Sequence, residues 1–178
     1  MRRDTFRWAI FFTLFFVASG LYARAQILND VHIDRFIMVV PDIGSSVISV
    51  WGASPLRKGR SLDQIRYEYE NNSQIIDILK EKRLPHAMAG EIFTVMVGMM
   101  VVSYQNQRDI LEEKLGRSLT DQELVKEIQH MGVFSSEDIA EVKQALDFLH
   151  VACQWLGQKN FSLLNRRIGE LSSVVAEL

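Results

Sequence analysis

A single cysteine, Cys153, serves the whole chain. No intrachain disulfide is therefore available, and the fold has to rest on its apolar core. Proline is almost as scarce, at three residues, and the ten glycines are dispersed. There is no Pro- or Gly-rich linker, no low-complexity tract and no internal repeat, which excludes fibrous, solenoid and beads-on-a-string organisations. Charge of one sign is also missing: 20 Lys and Arg stand against 22 Asp and Glu, a net charge of −2. Without a basic stripe or a basic motif interleaved with aromatics, nothing marks the chain for nucleic acid. The familiar catalytic and cofactor signatures are absent as well. No H-E-x-x-H, C-x-x-C, G-x-S-x-G, G-x-G-x-x-G or phosphate-loop pattern occurs, so no metal or cofactor is expected and the chain does not read as an enzyme.

What is present is apolar. Hydrophobic residues make up 48% and charged residues 24% of the 178 positions, the composition of one globular domain of ordinary size. The N-terminus stands apart. A basic MRRDTFR is followed by the apolar WAIFFTLFFVASGLY (8–22) and then by Ala23-Arg24-Ala25. Basic, apolar, then small-x-small is the order of a secretory signal peptide, cleaved here after Ala25. The run is short for a spanning helix, which needs about 20 residues, although an uncleaved anchor is the alternative. Removing residues 1–25 takes away Arg2, Arg3, Arg7, Arg24 and Asp4, so Lys and Arg fall to 16, Asp and Glu to 21, and the mature charge is −5. The expectation is a periplasmic or secreted protein that meets the membrane only through this segment.

The remainder reads as helices. Asn29 or Asp30 can cap a helix over 31–40, with Ile33, Phe36, Ile37 and Val40 on one face and Pro41 ending it. Residues 42–51 suggest a short second helix, and 52–60 a loop. Ser61 caps a further helix that Asn71-Asn72-Ser73 interrupts and Pro85 ends. The next is predicted from His86 to Leu115, stopped by Gly116. Thr120 to Glu123 forms a capping box for a short helix stopped at Gly132. Ser135 or Ser136 caps the following one. Its Ile139, Val142, Leu146, Leu149, Cys153 and Leu156 step by three and four, which places Cys153 on a buried stripe. After Gly157 a last helix carries Leu164, Ile168, Leu171 and Val175. The expected fold is all-α: residues 26–178 form one helical bundle of about six or seven helices around a central apolar helix, about 86–115, behind the cleavable segment 1–25.

The central helix holds most of the candidates. In GEIFTVMVGMMVVSYQ (90–105), one line reads Ala87, Glu91, Thr94, Gly98, Val101, Gln105, small or polar at most positions, while the rest of the surface is apolar. The uninterrupted apolar part, 92–102, is too short to span a bilayer, so a core helix is expected, with Gly98 admitting a close neighbour; a strand is the alternative. Glu91 is either a core acid with a raised pKa, able to act as an acid or hold a polar ligand, or the partner of water or of a base such as Arg83. Phe93, Met96, Met99 and Met100, together with Met88, either fill the core or line an adaptable apolar pocket. Arg57, Lys58 and Arg60, with Arg66, form a small basic cluster that is either a solvated loop or a contact for an acidic partner or lipid headgroups. His32 and Asp34 read as solvated. His150 lies three residues from Cys153, but no third group completes a nucleophilic site.

DRFIMVVPDI (34–43) and VKEIQHMGVFSSEDIAEVKQAL (125–146) resemble segments of small exported all-helical bacterial proteins of uncharacterised function. That resemblance implies a Gram-negative periplasm and carries no functional residue. Three functions follow as expectations: a module that binds another envelope protein, a carrier or sensor of a small apolar ligand, or an enzyme with an unrecognised site. The candidate ligand or partner contacts are Glu91, Phe93, Met96, Met99, Met100, Arg57, Lys58 and Arg60.

Overall fold

A computed structural model describes residues 25–53, 60–130 and 135–176, with the backbone alone for 45–53, Glu137 and Glu141. Residues 1–24 of the expected signal segment, Arg57, Lys58 and Gly132 lie outside the described residues. Among the described residues six helices follow one another: α1 (Asp30–Ala53), α2 (Leu62–Glu70), α3 (Ser73–Glu81), α4 (Met88–Leu115), α5 (Asp121–His130) and α6 (Ser136–Ala176). No strand occurs among the described residues, and the chain is an all-α single-domain bundle around α4.

The helix ends follow local chemistry. Ser61 and Gln64 cap α2 reciprocally, and Asn72 caps α3 after a break at Asn71, because a side-chain oxygen satisfies the free N–H groups of a first turn. Thr120 and Glu123 do the same for α5, and Ser135 with Asp138 for α6. Gly116 ends α4 at φ 65°, the left-handed conformation that glycine adopts without steric cost. Gly157, at φ 73° and ψ 157°, breaks α6 into two helical halves.

Two expectations need correction. Pro41 does not end the first helix: α1 runs through it to Ala53, and the short separate helix over 42–51 is its continuation. Ile33, Phe36, Val40 and Ile43 are all buried at steps of three and four. Burial of that one stripe outweighs the single hydrogen bond that proline removes, and Pro41 itself faces outward. Cys153 is not buried; it is exposed. Ile139, Val142 and Leu146 pack with Leu119, Leu124, Val125 and Ile128 in a small core against α5. Further along α6, Leu149, Ala152, Trp155 and Leu156 pack into the main core instead. A step from Leu149 to Ala152 satisfies helical spacing as well as a step to Cys153, and the small alanine permits the closer approach.

Helix α4 contacts α1, α2, α3 and, most extensively, α6. Among the described residues it is the helix long and apolar enough to cross a membrane, yet 72% of its apolar window is buried inside the bundle. Phe93 sits between two rings, 5.6 Å from Tyr69 of α2 and 5.9 Å edge-on from Trp155 of α6. Thr94 donates its hydroxyl to the Gly90 carbonyl at 2.8 Å, so a buried polar group is satisfied within its own helix. Gly98 faces α6, where a β-carbon would collide with Leu164 Cδ1 and lie 3.3 Å from Leu156 Cδ1.

Two outcomes follow. Gly98→Ala gains about 1 kcal/mol of helix propensity but must displace fully buried Leu164, and overpacking costs about 1–3 kcal/mol. Denaturant titration should show a net loss for Gly98→Ala, a larger one for Gly98→Leu, and a gain for Gly98→Ala on a Leu164→Ala background. A full propensity gain in the native background would contradict the close approach. Cys153 should react completely with a thiol reagent in the native protein, and Cys153→Ser should change stability by less than about 0.5 kcal/mol; protection until unfolding would contradict its exposure.

Candidate functional site

The polar line of α4 leads to the one buried carboxylate among the described residues. Glu91 lies in the first turn of α4, where the free N–H groups favour negative charge, and it is 7% exposed. Its partner is not Arg83 but Arg35 of α1, whose Nη1 donates to Oε1 at 3.1 Å and to Oε2 at 3.0 Å. Beside it, His32 Nε2 stands 3.7 Å from Glu91 Oε1. His32 is thus half-buried in a charged cluster rather than solvated. The stripe of Ile33 and Phe36 sets this arrangement: when those residues face the core, His32 and Arg35 fall on the flank that meets α4.

His32 has a second attachment. Asn29 caps α1, its Oδ1 accepting the His32 N–H at 3.1 Å, and the Asn29 N–H donates back to His32 Nδ1 at 3.0 Å. This is a capping box with an imidazole in the place usually taken by Glu or Gln. The bond assigns the tautomer of the neutral ring: Nδ1 accepts and Nε2 carries the proton towards Glu91. Neutral His32 therefore has no free lone pair with which to take a proton from a substrate, and Arg35 already neutralises Glu91. The cluster joins α1 to α4 and has no unengaged base.

Residues 25–29 are fixed as an arm on α6. The buried Asn160 side chain accepts the Leu28 N–H at 2.8 Å and donates to the Gln26 carbonyl at 2.8 Å, while Ala25 N–H reaches the Trp155 carbonyl at 2.9 Å. The 3% exposure of Asn160 reflects these two bonds to residues more than 130 positions away.

The other candidates separate. Phe93 is core, filled on two sides by rings. Met96, Met99 and Met100 are part-buried at the edge of the main core, and Met88 is fully buried. Arg60 pairs with Glu68, and Arg66 with Glu70 at 3.3 Å, so the described half of the basic cluster is matched by acids on α2. His150 pairs with Gln154 on the exposed side of α6. No group of three His, Cys, Asp or Glu side chains among the described residues could hold a metal ion. Sequence gave no sign of an outward line on α1, where Val31 and Met38 are 60% and 71% exposed, with Ile27 of the arm at 70%.

A double-mutant cycle tests the cluster. Arg35→Met leaves Glu91 with His32 alone and should cost about 1–3 kcal/mol, less than the full cost of breaking a buried pair because the arginine is partly exposed. Arg35→Met with Glu91→Gln should recover most of that loss. Simple additivity in urea titrations would show that the two side chains do not interact.

No family model matches this chain, and no curated protein or solved structure matches it, so the geometry above carries the functional argument alone.

Proposed function

We propose that the chain is an exported, periplasmic or secreted helical module that binds another protein of the cell envelope through the outward face of α1, without catalytic activity of its own. The observation that carries this reading is the apolar line on that face. Val31 and Met38 are seven residues apart, hence on one side of the helix, and both are largely exposed. Ile27 extends the apolar character into the adjoining arm. Exposed Asp34 and Asp42 share that side at steps of three and four, so the face mixes apolar and acidic side chains and suits a partner that offers both apolar and basic groups. Covering one such side chain is worth about 1.5–3 kcal/mol, enough for a few anchors to hold a partner. A small apolar ligand against Met96, Met99 and Met100 is the second reading, supported by their incomplete burial at the core's edge.

The test is site-specific photo-crosslinking in the native cell envelope. A crosslinker at Val31 or Met38 should give one discrete protein adduct, and a crosslinker at exposed Lys126 on α5 should not. Substituting Asp at the other of the two positions should remove the adduct without changing the melting temperature. Equal labelling from Lys126 would contradict the reading, and a co-purifying small apolar molecule in native mass spectrometry would favour the second. For export, the mature product should begin at Gln26 and be released by osmotic shock. A membrane-bound product that retains residues 1–25 would contradict cleavage.

A further inference from the structure

Cleavage after Ala25 removes one of the bonds that hold the arm. Ala25 N–H donates to the Trp155 carbonyl at 2.9 Å, and Trp155 is 5% exposed, so the cut leaves a buried acceptor without that donor. The same cut creates a positive charge one residue further on, at the Gln26 nitrogen, because a free α-amine is mostly protonated at neutral pH. We infer, on the reading that the chain is processed at this bond, that the new Gln26 ammonium is bound in a site formed by the Trp155 carbonyl of α6 and the Glu70 carboxylate of α2. Processing itself then locks the arm to the bundle.

Two elements make the site attractive to a cation. Trp155 stands just before the break at Gly157, at the C-terminal end of a helical half, where carbonyls lack intrahelical partners and the helix dipole favours positive charge. Glu70 closes α2. Its Oε1 lies over Gly90, against the place a β-carbon would take, and Gln26 Oε1 lies 3.6 Å from the same point. The first mature residue and the Glu70 carboxylate therefore share one floor, which is open because Gly90 has no side chain. Asp63 of α2 accepts the Trp155 indole N–H at 3.1 Å and so ties Trp155 to the helix that carries Glu70. The Glu70 carboxylate has capacity left. Arg66 Nε stands 3.3 Å away but is buried without a hydrogen-bond partner among the described residues, and His86 meets the Glu70 main-chain carbonyl instead, at 2.8 Å. Glu91, the neighbour of Gly90 in sequence, is already held by Arg35 on both oxygens.

The arm brings the ammonium to this place without help from Ala25. Asn160 donates to the Gln26 carbonyl at 2.8 Å and accepts the Leu28 N–H at 2.8 Å, and Leu28 is 6% exposed, so residue 26 stays anchored from its carbonyl side after the cut. Its nitrogen lies one residue, about 3.8 Å of chain, from the nitrogen that reached Trp155. Rotation about the Cα–C bond of Gln26, freed from Ala25, swings it between the Trp155 carbonyl and Glu70. In the uncleaved chain the same nitrogen is an uncharged amide, and Glu70 has no cation to bind there. A partly exposed ion pair at a helix end changes local opening by about fivefold.

The experiment is hydrogen exchange at the Leu28 amide in the uncleaved full chain and in the mature product purified from the envelope, each with and without Glu70→Gln. Mass spectrometry establishes the first residue of the mature product and that its α-amine is free. In the mature product Glu70→Gln should raise opening at Leu28 about fivefold. In the full chain it should leave opening unchanged, which separates the ammonium pair from the lost partner of Arg66, common to both forms. Acetylating the α-amine of the mature product keeps one N–H and removes the charge; it should give the same rise with Glu70 and none with Glu70→Gln. No effect of Glu70→Gln in the mature product, an equal effect in both forms, or an acetylation effect that persists in Glu70→Gln would overturn the inference and leave the export reading intact. A Gln26 amine that is blocked in the native product would do the same. A product that retains residues 1–25 would overturn cleavage and the ammonium site together.

Discussion

The structure depends on one constraint: over the stretch from Met88 to Val102, α4 is apolar on nearly its whole circumference and has to be covered on most sides, with Met96, Met99 and Met100 half-buried at the edge. An amphipathic helix needs one neighbour, but a helix with apolar residues all round needs a ring of them. Four helices meet that demand, and α6 supplies the largest part. The few polar positions on α4 are the places where its coverage is specified rather than merely apolar. Glu91 selects the flank of α1 that carries Arg35 and His32, and Gly98 admits Leu164 of α6. Thr94 turns its hydroxyl inward on its own backbone and lets the chain stay buried.

Beyond Val102 the demand changes. The C-terminal part of α4 carries Arg108, which reaches Tyr104, Glu112, Asp121 and the Leu119 carbonyl. Burial works against the Arg108 charge, but hydrogen bonds with Glu112 and Tyr104 outweigh it and raise its pKa. Glu112 accepts the Leu119 N–H and then the Arg108 guanidinium, which hold its pKa below the usual carboxylate range. One arginine thus positions the turn that leads into α5, and α5 encloses the second, smaller core. α6 bridges both cores because its stripe changes partner between Leu146 and Leu149.

Local rules made much of this legible before any coordinates. The capping box at Thr120 and Glu123, the break at Asn71 to Ser73 and the stops at Gly116 and Gly157 depend only on neighbours in sequence. The central helix was legible because apolar residues on all faces exclude a surface position. The errors share a different cause: each turned on what lies across the fold. Pro41 signals a helix end locally, but the stripe from Ile33 to Ile43 overrides it. Cys153 fits the periodicity of α6, but α5 covers that edge only as far as Leu146. His32 looks solvated because the carboxylate beside it, Glu91, is more than fifty residues away. The apolar line of Val31 and Met38 was hidden for the opposite reason, since periodicity marks the side that is buried and is silent about apolar residues left over on the other.

The central claim is that α4 is the last part of the molecule to open. Native-state hydrogen exchange across a denaturant series measures this directly. If burial of α4 by its four neighbours holds the bundle together, the amides from Ile92 to Val102 should exchange only through global unfolding, with an opening free energy and denaturant dependence equal to those of the whole chain. Exchange of those amides through a smaller opening, while α6 remains protected, would contradict it.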